Sequence, residues 1–189
     1  MVDLKEFEQK AADLRVLGMK ISIGQDTVYE KYWDEDCRRN IYSASKSFTS
    51  CAVGFAVQEG LIDLDERLMD AFKEDIPNNP DENLKKATVK DLLTMTLGQE
   101  KGFLMGKQRP RMEEQNWVKA SLAIPFVYEP GTHFVYNNVG PYLAGILVQR
   151  RAGCDLLSYL TPRLLKPLGI RKTIWEVDPE GNTFGAGGL

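Results

Sequence analysis

Near the N-terminus the apolar positions change rhythm, and from there they keep a helical spacing almost to the end of the chain. Leu4, Phe7, Ala11 and Leu14 recur at helical intervals and predict an amphipathic helix from Asp3 to Arg15, interrupted by Gly18. Met19, Ile21 and Ile23 then alternate with polar residues, Gln25-Asp26 reads as a turn, and Val28 to Trp33 is a second β-rich run, so a hairpin is expected. Helical spacing returns from Ser43 to Glu59. Phe48, Ala52, Phe55 and Ala56 share one face with Cys51 beside them, and small, uncharged residues elsewhere predict burial on most sides. Gly60 is placed to stop that helix.

Beyond it, Leu61 to Leu68 and Pro77 to Asp81 read as polar loops. Thr88 is placed to cap a helix through Val89, Leu92, Leu93 and Met95, with Asp91 in its first turn. Gly98 to Arg111 reads as an exposed glycine-rich basic loop, Glu113 to Ala123 as a short helix and Pro130-Gly131 as a turn. Two more helices are expected, Gly140 to Arg151 and Leu156 to Leu165, then a short extended piece at Arg171 to Trp175 and a glycine-rich tail. This order is α+β rather than alternating βαβ. Two strands do not make a stable sheet alone, so helices must cover the hairpin or its sheet partners come from elsewhere.

Composition narrows the function. With 189 residues, 43% hydrophobic and 27% charged, the chain can bury a sizeable core, and its net charge of −3 exerts no overall pull on nucleic acid or anionic membrane. The basic clusters Arg38-Arg39 and Lys107 to Arg111 are short and read as solvated surface. Cys37, Cys51 and Cys154 are odd in number and lack CxxC spacing, which argues against a disulfide framework, and one histidine makes a zinc cluster a poor expectation. No metal and no cofactor is expected. Met1 to Leu14 is charged and amphipathic rather than a signal sequence, so the expected location is cytoplasmic.

Two short motifs could carry chemistry. Ser43-Ala44-Ser45-Lys46 at a helix start puts Ser43 and Lys46 on one face, one turn apart. A neighbouring amine kept partly neutral by burial could take the hydroxyl proton, and the helix start offers unpaired N–H groups to an oxyanion. Alone this tetrapeptide is weak evidence, since roughly one match is expected by chance in a chain this long. The second motif is Tyr136-Asn137-Asn138. A tyrosine facing a lysine can act as general base and acid, and an asparagine amide can orient the lysine or hold a substrate carbonyl. Read alone, it is first a turn tyrosine with a helix-capping Asn138. Cys51 or Cys154 with His133 is a poorer nucleophile and base, because a thiol in an apolar helix is inert packing and His133 sits in a turn. No Gly-x-Ser-x-Gly turn and no phosphate loop is present.

At these residues the chain resembles the serine hydrolases that include class C β-lactamases, DD-peptidases (penicillin-binding proteins) and related esterases. The resemblance runs in order through Ile41 to Thr49, Glu59 to Asp65, Thr88 to Thr96, Pro130 to Asn138, Leu165 to Ile170 and Gly187-Gly188-Leu189. Leu97-Gly98-Gln99 departs from the Ser-Gly-His-like turn usual there. The resemblance implies Ser43 as acylated nucleophile with its N–H as half of the oxyanion hole, and Lys46 as proton acceptor or electrostatic partner of Tyr136. It implies Tyr136 as general base or acid, and Asn138 as the holder of substrate and lysine. Substrates would be small esters, amides or β-lactams.

The family's third motif, Lys-Thr-Gly or His-x-Gly on a late strand, does not occur in these residues. The expectation is therefore an incomplete β-lactamase/transpeptidase-like fold without the C-terminal sheet strands, impaired as this chain. Residues 1–40 would belong to the sheet domain, 41–170 to a mostly helical domain carrying both motifs, and 171–189 to a return segment. Two alternatives stay open. One is a non-catalytic interaction module pairing through its hairpin edge, with a second copy or a complementary fragment. The other is a helical protein whose motifs coincide, with Ser43 and Tyr136 far apart.

Overall fold

A computed structural model describes residues 3–35 and 37–189; Met1 and Val2, at the head of the charged N-terminal stretch, and Asp36 lie outside the described residues. The chain forms two compact units, Met1–Arg39 and Asn40–Leu189. In the first, α1 (Lys5–Asp13) precedes an antiparallel hairpin of β1 (Gly18–Ile23) and β2 (Asp26–Tyr32). Gly24, not Gln25-Asp26, opens the turn, because it takes φ +62°, a left-handed conformation that only glycine adopts without strain. A bulge lies between Ile21 and Ser22. Helix α1 is tied to β2 through Glu8, which accepts from the Tyr29 hydroxyl at 2.8 Å and from Lys31, while Phe7 meets Trp33 edge-on. Each strand pairs only with the other among the described residues.

In the second unit a 3₁₀ turn, Tyr42–Ala44, leads into α2 (Ser45–Gln58). Short helices α3 (Leu68–Ala71), α4 (Glu82–Lys86), α5 (Val89–Thr94) and α6 (Trp117–Leu122) follow, then α7 (Val139–Ala152) and α8 (Leu156–Leu160). Every residue of α7 from Val139 to Gln149 is buried, as expected of a helix apolar on all sides, and α2, α5 and α8 pack around it. The N-terminus of α5 is closed as its sequence suggests: the Asp91 carboxylate accepts both the N–H and the hydroxyl of Thr88 at 2.8 Å.

Several expectations are corrected. Helix α2 buries one face only (Ser45, Thr49, Ala52, Val53, Ala56), and Cys51 is exposed, because its position points away from α7. Leu156 to Leu165 is not one α-helix: Pro162 has no N–H to give, and Thr161–Leu165 forms a π-turn closed by Lys166 N–H on Thr161 O at 2.9 Å. Arg171 to Trp175 forms no strand; the nearest ladder contact is the isolated bridge Val177–Thr183. The Gly98–Arg111 loop is anchored rather than simply exposed, with Gln99 and Leu104 fully buried. No helix among the described residues is long and apolar enough to cross a membrane.

Gly140 sets how closely α7 approaches α5, since a Cβ there would lie 2.2 Å from the Leu92 carbonyl oxygen. Gly140→Ala should destabilise the chain by about 1–3 kcal/mol despite alanine's better helix propensity. Equilibrium denaturation checks this; an unchanged or raised stability would show that the two helices can separate freely.

Candidate active site

The Ser-x-x-Lys and Tyr-x-Asn segments converge at the start of α2. Ser43 lies in the 3₁₀ turn rather than in the helix itself, with an exposed side chain. Tyr136 and Lys46 both reach it: the Tyr136 hydroxyl is 2.8 Å from Ser43 Oγ and Lys46 Nζ is 3.2 Å away. The reading in which the two motifs are coincidental required Ser43 and Tyr136 to be far apart, and they are in contact.

Lys46 is the most constrained member. Its ammonium has three N–H donors. They meet Ser43 Oγ, Asn138 Oδ1 at 2.8 Å and the backbone oxygen of Ala186 at 2.6 Å. Nζ also lies 5.3 Å from the centre of the Tyr136 ring, within cation–π range. Burial pushes the Lys46 pKa below its ordinary value, opposed by the bond and charge of Tyr136 and assisted by the positive charge of Arg109. The Tyr136 pKa is also lowered. Its hydrogen bond with Ser43 lowers it most, partial burial opposes, and the bond and charge of Lys46 add to the lowering.

Each side chain is placed by its own local structure. Asn138 begins α7 but does not cap it; Asn137 Oδ1 accepts from Gly140 N–H at 3.2 Å instead. That frees the Asn138 amide, whose nitrogen donates to Leu104 O at 2.9 Å and so turns its oxygen towards Lys46. The Asn138 N–H donates to Phe103 O at 3.2 Å. Tyr136 is set by the Val135 N–H on Met95 O at 3.0 Å, just past the end of α5.

The tail completes the cluster, which the sequence did not signal. Gly185 O accepts from the Thr49 hydroxyl at 2.7 Å, and the next residue, Ala186, supplies the third acceptor of Lys46. The one available sequence signal was the run of small residues: a Cβ on Gly185 would lie 2.7 Å from Pro141 O and 3.0 Å from Thr49 Oγ1. Arg109, expected on a solvated surface, instead pairs with Glu176 and lies 4.3 Å from the Phe184 ring centre. Among the described residues His133 stacks on Tyr128 at 4.2 Å and bonds Thr132, with no cysteine among its partners, while Cys51 and Cys154 are exposed. Among the described residues no group of His, Cys, Asp and Glu could hold a metal ion.

The chain is 31% identical over 157 residues to monacolin J acid methylbutanoyltransferase of Aspergillus terreus, covering 72% of this chain and 37% of that protein. It is 31% identical over 150 residues to lovastatin esterase of Penicillium rubens, covering 68% of this chain and again 37% of the relative. Among solved structures, a putative 6-aminohexanoate-dimer hydrolase from Bacillus anthracis superposes with a TM-score of 0.78 at 18% identity, over 96% of this chain and 52% of that one. The chain thus spans well under half the length of these curated relatives and about half of the solved chain. The Beta-lactamase family model matches residues 5–188, from the first helix to the end of the tail that holds Lys46, and the chain belongs to that family.

Proposed function

We propose that this chain carries the nucleophilic half of an acyl-transfer site, with Ser43 forming an acyl-enzyme from a small ester, amide or β-lactam. The observation that carries the proposal is the placement of Tyr136 at 2.8 Å and Lys46 at 3.2 Å from Ser43 Oγ. A serine hydroxyl needs a base, and among the described residues these are the two ionisable groups within hydrogen-bond reach of Oγ.

Tyr136 is the better base. All three Lys46 donors are aimed at acceptors, so Lys46 acts as a held cation that favours the phenolate. The tyrosinate takes the Ser43 proton as Oγ bonds to the acyl carbon. Tyr136 then gives that proton to the departing oxygen or nitrogen as its bond to the carbonyl carbon breaks. Asn138 keeps Lys46 in register. The Ser43 N–H faces the developing oxyanion. Water resolves the acyl-enzyme in a hydrolase and an alcohol does so in a transferase. The names of the relatives, a methylbutanoyltransferase and an esterase, favour an ester of a short acyl group as the first substrate to try.

Mixing the chain with a nitrophenyl ester of a short fatty acid should add one acyl group per chain, on Ser43. Tyr136→Phe should slow acylation about 100-fold or more. Intact-mass and peptide mapping read both; equal acylation of Ser43→Ala would end the proposal. The pairing of Tyr136 with Lys46 has its own test. In Lys46→Met the Tyr136 phenol loses a neighbouring cation, so its titration, followed by NMR of isotope-labelled tyrosine, should move to higher pH. A titration that stays put would show that Lys46 does not support the phenolate.

A further inference from the structure

The chemistry above uses Ser43 and Lys46 but not Ser45, the serine between them. Ser45 is fully buried. Its hydroxyl donates to the Tyr42 carbonyl at 2.6 Å and accepts from the Leu189 N–H at 3.1 Å. Leu189 also accepts from the Ile41 N–H at 2.9 Å, so one tail residue is bound on both sides of the turn.

Tyr42 is held in an unusual state. Its φ is +47°, a left-handed conformation costing a non-glycine residue about 1–2 kcal/mol. Such a residue persists only where its surroundings over-determine it. Packing of the Tyr42 ring does not do so, because the side chain is 74% exposed. The ties are polar and on the backbone: the Tyr42 N–H donates to Asn40 Oδ1 at 2.6 Å, and its carbonyl takes both the Ser45 N–H and the Ser45 hydroxyl, the hydroxyl being the one tie a side-chain change removes.

The Tyr42 carbonyl and the Ser43 N–H are the two ends of one planar, trans peptide. In such a unit C=O and N–H point in opposite directions, so anchoring the oxygen aims the hydrogen. The Ser43 N–H has no hydrogen-bond partner among the described residues. Hydrogen bonds in series also polarise one another. The series runs from the Leu189 N–H through the Ser45 hydroxyl to the Tyr42–Ser43 peptide.

We propose that Ser45 is a positioning residue whose buried hydroxyl, braced by Leu189, aims and polarises the Ser43 N–H at the oxyanion. The proposal rests on the acyl-enzyme reading of Ser43. Three variants of the full chain separate it from a purely structural role. Ser45→Ala should lower the acylation rate at saturating nitrophenyl ester by about tenfold or more with little change in KM, as a misaimed transition-state donor requires. Ser45→Thr keeps the hydroxyl and should recover most of that rate. Tyr142→Phe loses a buried bond to Asp178 of 2.7 Å elsewhere in the unit, and should lower the melting temperature while acylating like the parent. A Ser45→Ala protein that acylates at the parent rate, or loses no more than Tyr142→Phe does, overturns the proposal. A second readout needs no reactivity: the NMR amide proton of Ser43 should move upfield in Ser45→Ala and return in Ser45→Thr, and an unmoved resonance also overturns it. Failure of the acyl-enzyme reading looks different, since Ser43→Ala would then still be acylated while the amide resonance continued to report on Ser45.

Discussion

A lysine side chain in a half-buried place must find an acceptor for each of its donors or give up its charge. Lys46 finds three: Ser43 one turn away, and two from distant parts of the sequence, Asn138 at the head of α7 and the Ala186 backbone oxygen in the tail. Burial still disfavours the charge, and Tyr136 supports it. The lysine is therefore balanced, and every segment touching it must be fixed for the balance to hold.

Much of the second unit is arranged to that end. Helix α7 is buried along nearly its whole length, which fixes Asn138 at its start. The Gly98–Arg111 loop carries the two carbonyls, Phe103 and Leu104, that hold the Asn138 backbone and amide. The tail passes close enough to α2 and α7 to deliver Ala186 because Gly185 presents no side chain to Pro141 or Thr49. Arg109 ties the loop to the tail through Glu176 and Phe184. The cluster is thus a meeting of backbone oxygens as much as of side chains.

That division explains what could be read from the sequence. The hairpin, the α5 cap and the long helices were legible because each depends on local rhythm or on a capping pair such as Thr88 and Asp91. The Ser-x-x-Lys and Tyr-x-Asn residues were legible as types at a spacing. Ala186 and Leu104 were not, because they act through carbonyls, and any residue has a carbonyl. Asn137 and Asn138 divide capping from lysine binding, and two adjacent asparagines do not say which does which. Arg109 looked like solvated charge because its partners, Glu176 and Phe184, are far away in the chain.

The balance at Lys46 can be observed directly by NMR titration of isotope-labelled lysine side chains, assigned by loss of one resonance in Lys46→Met. Lys46 should titrate below the other lysines, and lower still in Tyr136→Phe, because burial then acts without the tyrosine that opposes it. A Lys46 resonance that titrates with the exposed lysines, and does not respond to Tyr136→Phe, would contradict a lysine poised between burial and its acceptors beside Ser43.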